Sequence, residues 1–204
     1  MNRIGITGGI GAGKSASADL LRRSGFPLLD TDEVAREVVA PGSEGLEAVV
    51  DAFGSGVLQP DGTLDRRRLG AWVFQDAVAR VLLETILHPR IHAIWSSWLS
   101  HPTQAESPVA FVVIPLLFEK GYEAGFDSIA SVGCTPSTQR RRLLARGWSE
   151  DELSARLRAQ LPMEEKLRRS THVVWNEGDL DCLGDQWRRL VAAWGGDGSS
   201  ARDR

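Results

Sequence analysis

Gly8-Gly9-Ile10-Gly11-Ala12-Gly13-Lys14-Ser15 fits the pattern G-x-x-x-x-G-K-[ST] at every fixed position. Glycines at 8, 11 and 13 let the backbone curl, so that successive N–H groups point inward at phosphate oxygens. A helix opening near Lys14 adds the positive end of its dipole at the same place. Lys14 can then reach β- and γ-phosphates, and the Ser15 hydroxyl can ligand Mg²⁺. An accidental glycine-rich turn would need neither a strand before it nor a helix after it, and both are present. Ile4 and Ile6 precede the loop. Lys14 to Arg23 follows with a helical pattern: Leu20 and Leu21 are apolar, Arg22 and Arg23 fill the last turn, and Gly25 is the stop.

Working outward, Pro27-Leu28-Leu29-Asp30 reads as a second strand, and a helix from near Thr31 ends before Pro41-Gly42. This β-α-β-α opening is the grammar of a parallel sheet. From Ser43 to about Leu99 the pattern is helical, interrupted by the turn Gln59-Pro60-Asp61-Gly62 and by His88-Pro89, which suggests an insertion on one edge of the sheet. A loop from Pro102 to Pro108 leads into Val109–Ile114, an apolar run suited to a strand buried on both faces. Ser128–Cys134 and His172–Trp175 read as further strands. Thr135-Pro136 and the capping box Ser149/Glu152 start helices, and Leu180–Trp194 closes the fold. Trp72, Trp95 and Trp98 read as core. The expectation is a single domain over 1–194 and a disordered polar tail, 195–204.

Composition narrows the function. The chain has 204 residues, 42% hydrophobic and 25% charged, with a net charge of −3. That balance argues against a nucleic-acid binder. No apolar run approaches the roughly 20 residues needed to span a bilayer, and no signal core opens the chain. Cys134 and Cys182 lie far apart with no metal-ligand spacing, which suits free thiols in a reducing compartment. The expectation is a cytoplasmic protein, monomeric or weakly homo-oligomeric, with no nucleic-acid or membrane partner. Arginine outnumbers lysine 21 to three, so Lys14, Lys120 and Lys166 each merit inspection.

Two absences favour a small-molecule kinase over an energy-transducing ATPase or GTPase switch. The strand Val109–Ile114 ends in Pro115 rather than an Mg²⁺-holding Asp, and no Asn-Lys-x-Asp tetrapeptide selects guanine. A kinase needs an acceptor-side base, and Asp30-Thr31-Asp32-Glu33 offers candidates at the end of the second strand, expected beside the carboxyl end of the first. These acids would equally serve the helix terminus. A kinase also needs a charge clamp. Residues 137–170 carry nine cations (Arg140, Arg141, Arg142, Arg146, Arg156, Arg158, Lys166, Arg168, Arg169) against five acids, a net +4 that reads as a lid over the triphosphate or as a solvated helical face.

With these residues in view, the chain resembles the dephospho-CoA kinases from Ile4 to about Gly178. The resemblance rests on the opening Ile4–Ser15 with its Thr7-Gly8-Gly9-Ile10, on Asp30-Thr31-Asp32 with Ala35-Arg36, and on Asp61-Gly62-Thr63-Leu64-Asp65-Arg66. It rests further on Leu87-His88-Pro89, Pro115-Leu116-Leu117-Phe118-Glu119, Gln139 with Arg142 and Arg146, Gln160, and Asn176. It implies a P-loop NTPase-type α/β fold: a parallel sheet flanked by helices (core 1–30, 109–136 and 171–194), a helical acceptor-binding insertion (about 31–105) and a helical lid (about 137–168). It implies ATP and Mg²⁺ as cofactors and dephospho-CoA as the small-molecule acceptor. Asp32 is then the base, Lys14 and Arg142 stabilise charge in transfer, and Ser15 binds the metal. Gly9, Gly11, Ala12, Gly13, Lys14, Ser15, Ala16 and Asn176 hold the nucleotide. Thr7, Asp32, Arg66 and His88 lie on the acceptor side, where Arg66 meets either an acceptor phosphate or a surface carboxylate and His88 also reads as a structural residue at a helix junction. Ala16 stands where the family usually has Thr. Ser170, Thr171 and Trp175 replace an Ala-Asp pair and an Asp. The alternatives are a kinase for nucleoside monophosphates or another small metabolite, and a nucleotide-sensing protein without catalysis. The intact Lys14, Ser15 and Asp32 argue against the latter.

Overall fold

In the computed structural model, which describes residues 1–101 and 106–195, five strands form one parallel sheet. They are β1 (Asn2–Gly8), β2 (Leu28–Asp30), β3 (Val109–Val113), β4 (Ser128–Gly133) and β5 (His172–Trp175). Their spatial order is β2-β3-β1-β4-β5, with Ile6 in register with both Val113 and Ala130. β3 is buried throughout, as its unbroken apolar run requires. The order corrects one expectation: β2 does not adjoin β1, because β3 lies between them and pairs Val113 with Asp30. β1 is central. The chain fills the sheet on one side with β2 and β3 and then crosses to the other for β4 and β5, so the carboxyl end of β1 opens at the switch point where ligands bind in such sheets.

The helices are α1 (Lys14–Arg23), α2 (Thr31–Glu37), α3 (Glu44–Phe53), α4 (Arg66–Gln75), α5 (Ala77–Ser100), α6 (Pro136–Leu144), α7 (Glu150–Arg158), α8 (Met163–Arg169) and α9 (Leu180–Ala193). The chain forms two compact units, one from residues 1–30 with 99–204 and the other from 31–98. In the first, Ile4, Ile6, Phe111, Val113, Val132, Val174, Leu183 and Trp187 build the core around the sheet. Thr135 caps α6 by accepting from Thr138 N, and Ser149 with Glu152 forms the anticipated capping box on α7.

In the second unit, Asp61-Gly62-Thr63-Leu64-Asp65-Arg66 launches α4. Asp61 accepts from Thr63 N at 3.0 Å and Thr63 Oγ1 at 2.6 Å, Gly62 takes φ +81°, and Asp65 caps the helix through Arg68 N at 2.9 Å. Arg66 is thereby the first helical residue. Two expectations fail here. The helix does not break at His88-Pro89, since α5 runs through Pro89. The amide that Pro89 withholds would have served Thr85 O, and one carbonyl further on Arg90 Nη1 donates to Ile86 O at 2.7 Å. Trp72 is not core: it is 45% exposed, its ring edge-on to Phe53, whereas Trp95 is buried and Trp98 half-buried. The predicted tail, apart from Gly195, and residues 102–105 of the predicted loop lie outside the described residues.

Candidate functional site

β1 delivers the chain to the loop at Gly8, and α1 takes it up at Lys14. At both ends the backbone demands glycine. Gly8 has φ +141°, and a Cβ there would meet Val132 O at 2.2 Å; Gly13 has φ +111°. The first turn of α1 contains no acid, so its dipole faces the loop without a competing carboxylate. Lys14 Nζ donates to Gly8 O at 2.9 Å and Gly9 O at 3.0 Å, which lays the ammonium along the loop. Ser15 is exposed, and Ala16 packs against the core. Among the described residues no cluster of three or more His, Cys, Asp or Glu could hold a metal by itself. The Ser15 hydroxyl beside an amide-lined loop still suits Mg²⁺, which commonly takes few protein ligands and completes its shell with phosphate and water.

A strap from the far half of the chain fixes the loop. Asn176, just after β5, donates Nδ2 to Ala12 O at 2.8 Å and is buried. Arg142, on α6, donates Nη1 to the same carbonyl at 3.3 Å and Nη2 to Asn176 O at 3.0 Å. Gln139, one turn earlier, donates Nε2 to Ile10 O at 2.6 Å. Glu177 accepts from Thr135 N and from Thr138 Oγ1, the latter at 2.8 Å; these bonds, led by the Thr135 amide, hold its carboxyl below the usual carboxylate range. Burial pushes the neighbouring Cys134 thiol up, with the Arg142 guanidinium pulling the other way.

Beneath the loop lies a network that sequence reasoning missed. Thr7 is buried and donates to Pro115 O at 3.3 Å. Lys166 Nζ donates to the same oxygen at 2.7 Å and stands 2.8 Å from Glu119 Oε1. Glu119 Oε1 also accepts from Leu161 N at 2.9 Å. Burial pushes the Lys166 ammonium down from its ordinary value, and Glu119 pulls it back up. Lys166 therefore does not belong to an exposed basic face. Nor do all its neighbours point at a ligand: Arg140 pairs with Glu150, Arg168 with Glu165 and Arg169 with Glu123. The one signal in the sequence was the rarity of lysine.

In the second unit, Asp32 and Glu33 are exposed in the first turn of α2, two and three residues beyond the end of β2. Arg66 is exposed, and its Nη2 donates to Arg36 O at 3.3 Å, a backbone carbonyl rather than a carboxylate, tying the start of α4 to α2. His88 is half-buried within α5. The structure brings Thr7, Gly9, Gly11, Ala12, Gly13, Lys14, Ser15, Ala16, Arg142 and Asn176 together in the first unit, and Asp32, Arg66 and His88 lie in the second.

A family model described as dephospho-CoA kinase matches residues 2–181. The chain belongs to the dephospho-CoA kinase family. The dephospho-CoA kinase of Moorella thermoacetica is 45% identical over 194 residues, covering 94% of this chain and 90% of that one. That of Anaeromyxobacter dehalogenans is 44% identical over 193 residues, covering 94% and 92%. The dephospho-CoA kinase structure from Campylobacter jejuni aligns with TM-score 0.68 at 25% identity, covering 94% of this chain and 96% of the other. TT1252 from Thermus thermophilus aligns with TM-score 0.77 at 38% identity, covering 94% and 97%. A shikimate kinase from Acinetobacter baumannii, at 15% identity and TM-score 0.54, shares the fold. Where this dephospho-CoA kinase family member carries Ser170, Thr171 and Trp175, the side chains have structural partners. Ser170 Oγ donates to Lys166 O at 2.8 Å, and Thr171 Oγ1 both accepts from Ile129 N and donates to Ile129 O. The Trp175 backbone exchanges two hydrogen bonds with the Gln186 side chain, closing the sheet edge.

Proposed function

We propose that the protein transfers the γ-phosphate of ATP to the 3′-hydroxyl of dephospho-CoA, giving CoA and ADP, the final step of coenzyme A biosynthesis. The observation that carries this reading is the strapped phosphate loop in a chain that matches the dephospho-CoA kinase family from residue 2 to 181. The amides of residues 9–15 grip the phosphates, and Lys14 turns from the Gly8 and Gly9 carbonyls to the β- and γ-phosphate oxygens. Ser15 is the residue that would hold Mg²⁺, which when bound would offset negative charge on the phosphates. Asp32 accepts the proton of the 3′-hydroxyl, whose oxygen attacks the γ-phosphorus in line as the bond to ADP breaks. Arg142 bonds a carbonyl of the loop itself, Ala12 O, and adds positive charge on the lid side, where residues of about 137–168 close to exclude water. The acceptor belongs to the unit 31–98, with Arg66 set at the head of α4 for an acceptor phosphate. Two free cysteines and the lack of a helix able to cross a membrane among the described residues support a cytoplasmic reaction.

A coupled assay of ADP release from ATP, Mg²⁺ and dephospho-CoA tests the reading. Turnover well above that with AMP, CMP or dTMP is the expected result. Folded protein that turns over a nucleoside monophosphate instead, or nothing, overturns it.

A further inference from the structure

The ion pair of Glu119 and Lys166 does work that stability alone does not explain. The Lys166 side chain is fully buried, 2.8 Å from Glu119 Oε1. Such a pair seldom stabilises more than apolar residues of similar volume would, because desolvation offsets the attraction. Here Glu119 Oε2 is also buried without a hydrogen-bond partner, a further cost. What the pair does supply is a fixed junction of three segments. Pro115 and Glu119 belong to the stretch after β3, Leu161 closes the segment that holds α6 and α7, and Lys166 lies on α8.

The junction reaches the phosphate loop by two routes. Through Pro115 O it meets Thr7 Oγ1 at 3.3 Å, one residue before Gly8. Through α8 it places Met163 against Gly9, where a Cβ would lie 2.6 Å from Met163 Cε. Arg169 adds a second tie from α8, pairing with Glu123 and lying 4.6 Å over the Phe118 ring. Residues 137–161 are therefore held at one end by the strap of Gln139 and Arg142 on the loop, and at the other by Leu161 N on Glu119.

We propose that Glu119 and Lys166 are positioning residues that lock the C-terminal root of the 137–161 segment to the floor of the phosphate loop, so that it closes over the triphosphate in one register. This rests on the reading of about 137–168 as a lid, of which 137–161 is the part ahead of α8. Backbone amides bind ATP without the junction, but lid charge reaches the transferring phosphoryl group only if the root is fixed, so its loss should appear in kcat.

The double variant Glu119→Leu/Lys166→Met removes both buried charges at similar volume. Its melting temperature should stay near that of the parent, whereas kcat falls about ten- to a hundredfold and the KM for ATP moves about twofold or less. Amides of 137–161 should exchange faster with MgATP bound, and those of β1 and β3 should not change. If the double variant does not melt cooperatively, Glu119→Asp decides. It keeps the charge but shortens the reach to Leu161 N, and should show the same fall in kcat and the same faster exchange. Folded variants with parental kcat and parental exchange at 137–161 overturn the proposal. A parent that fails to turn over dephospho-CoA sinks the functional reading instead, and the exchange comparison still decides this one.

Discussion

Asn176 Nδ2 donates to Ala12 O at 2.8 Å and occupies the space a side chain at residue 13 would need, only 1.9 Å from where a Cβ would lie. The loop that grips phosphate is thus shaped partly by a residue 164 positions later. Gly13→Ala adds a clash to the strain of φ +111°. It should destabilise the protein by about 2–4 kcal/mol and abolish measurable ATP binding. Adding Asn176→Ala removes the clash but not the strain, so denaturant melts should recover only in part.

Arg142 reaches two carbonyls at once, Ala12 O and Asn176 O. Lysine is a point charge without the planar fork and cannot bridge both. Arg142→Lys should therefore retain positive charge yet lower kcat/KM for ATP by about tenfold, and Arg142→Ala should cost more. Steady-state kinetics check both. Equal activity in all three proteins rules out the guanidinium as either strap or charge donor.

Asp32→Asn keeps the shape of the first turn of α2 and removes the base. Turnover should fall by about two or more decades on the usual scale of general-base loss, with ATP affinity nearly unchanged by calorimetry. Lys14→Ala should be worse in both measurements, since it withdraws charge from the phosphates. A wild-type rate in Asp32→Asn eliminates Asp32 as the base.

The contrast between Lys14 and Lys166 shows what could be read in advance. Lys14 follows a motif whose geometry is local: glycine turn, helix start and cation lie within eight consecutive residues, so spacing alone determines chemistry. All five strands were legible for the same reason, as short apolar runs between turn signals. Lys166 meets Glu119 and Pro115, 47 and 51 positions before it. No periodicity encodes that encounter, and the charge count around it misled. Strand order was likewise hidden, because β2 and β3 are joined only after a 78-residue excursion through the helical unit. Pro89 misled in the other direction: a local break signal was overridden by a helix long enough to carry it.

Glu177 gives a pH dependence of known sign. Its folded-state carboxyl lies below its ordinary value of 4.5 because the Thr135 amide and the Thr138 hydroxyl bond the ionised form. The stability it contributes is complete above about 4.5 and is lost as pH falls through the lower folded value. Glu177→Gln should thus melt earlier than the parent at neutral pH, and the two curves should converge in strong acid. Because Thr135 opens α6, the same variant should loosen the start of that helix in amide exchange. A difference in melting temperature that persists unchanged into acid would show that Glu177 acts through packing rather than charge.

Pro89 offers a test of how α5 tolerates a missing amide. Alanine at this position supplies the absent donor and removes the ring's clash with the preceding turn, a defect worth about 3 kcal/mol in a regular helix. The carbonyl left without its amide is that of Thr85, whereas the Arg90 guanidinium bonds the next one, Ile86 O, and so does not replace the missing donor. Pro89→Ala should therefore stabilise by up to about 3 kcal/mol, by the same amount with Arg90 present or replaced by alanine. Denaturant melts of Pro89→Ala, Arg90→Ala, the double variant and the parent close the cycle. A coupling well beyond about 0.5 kcal/mol would show that the arginine does compensate for the proline.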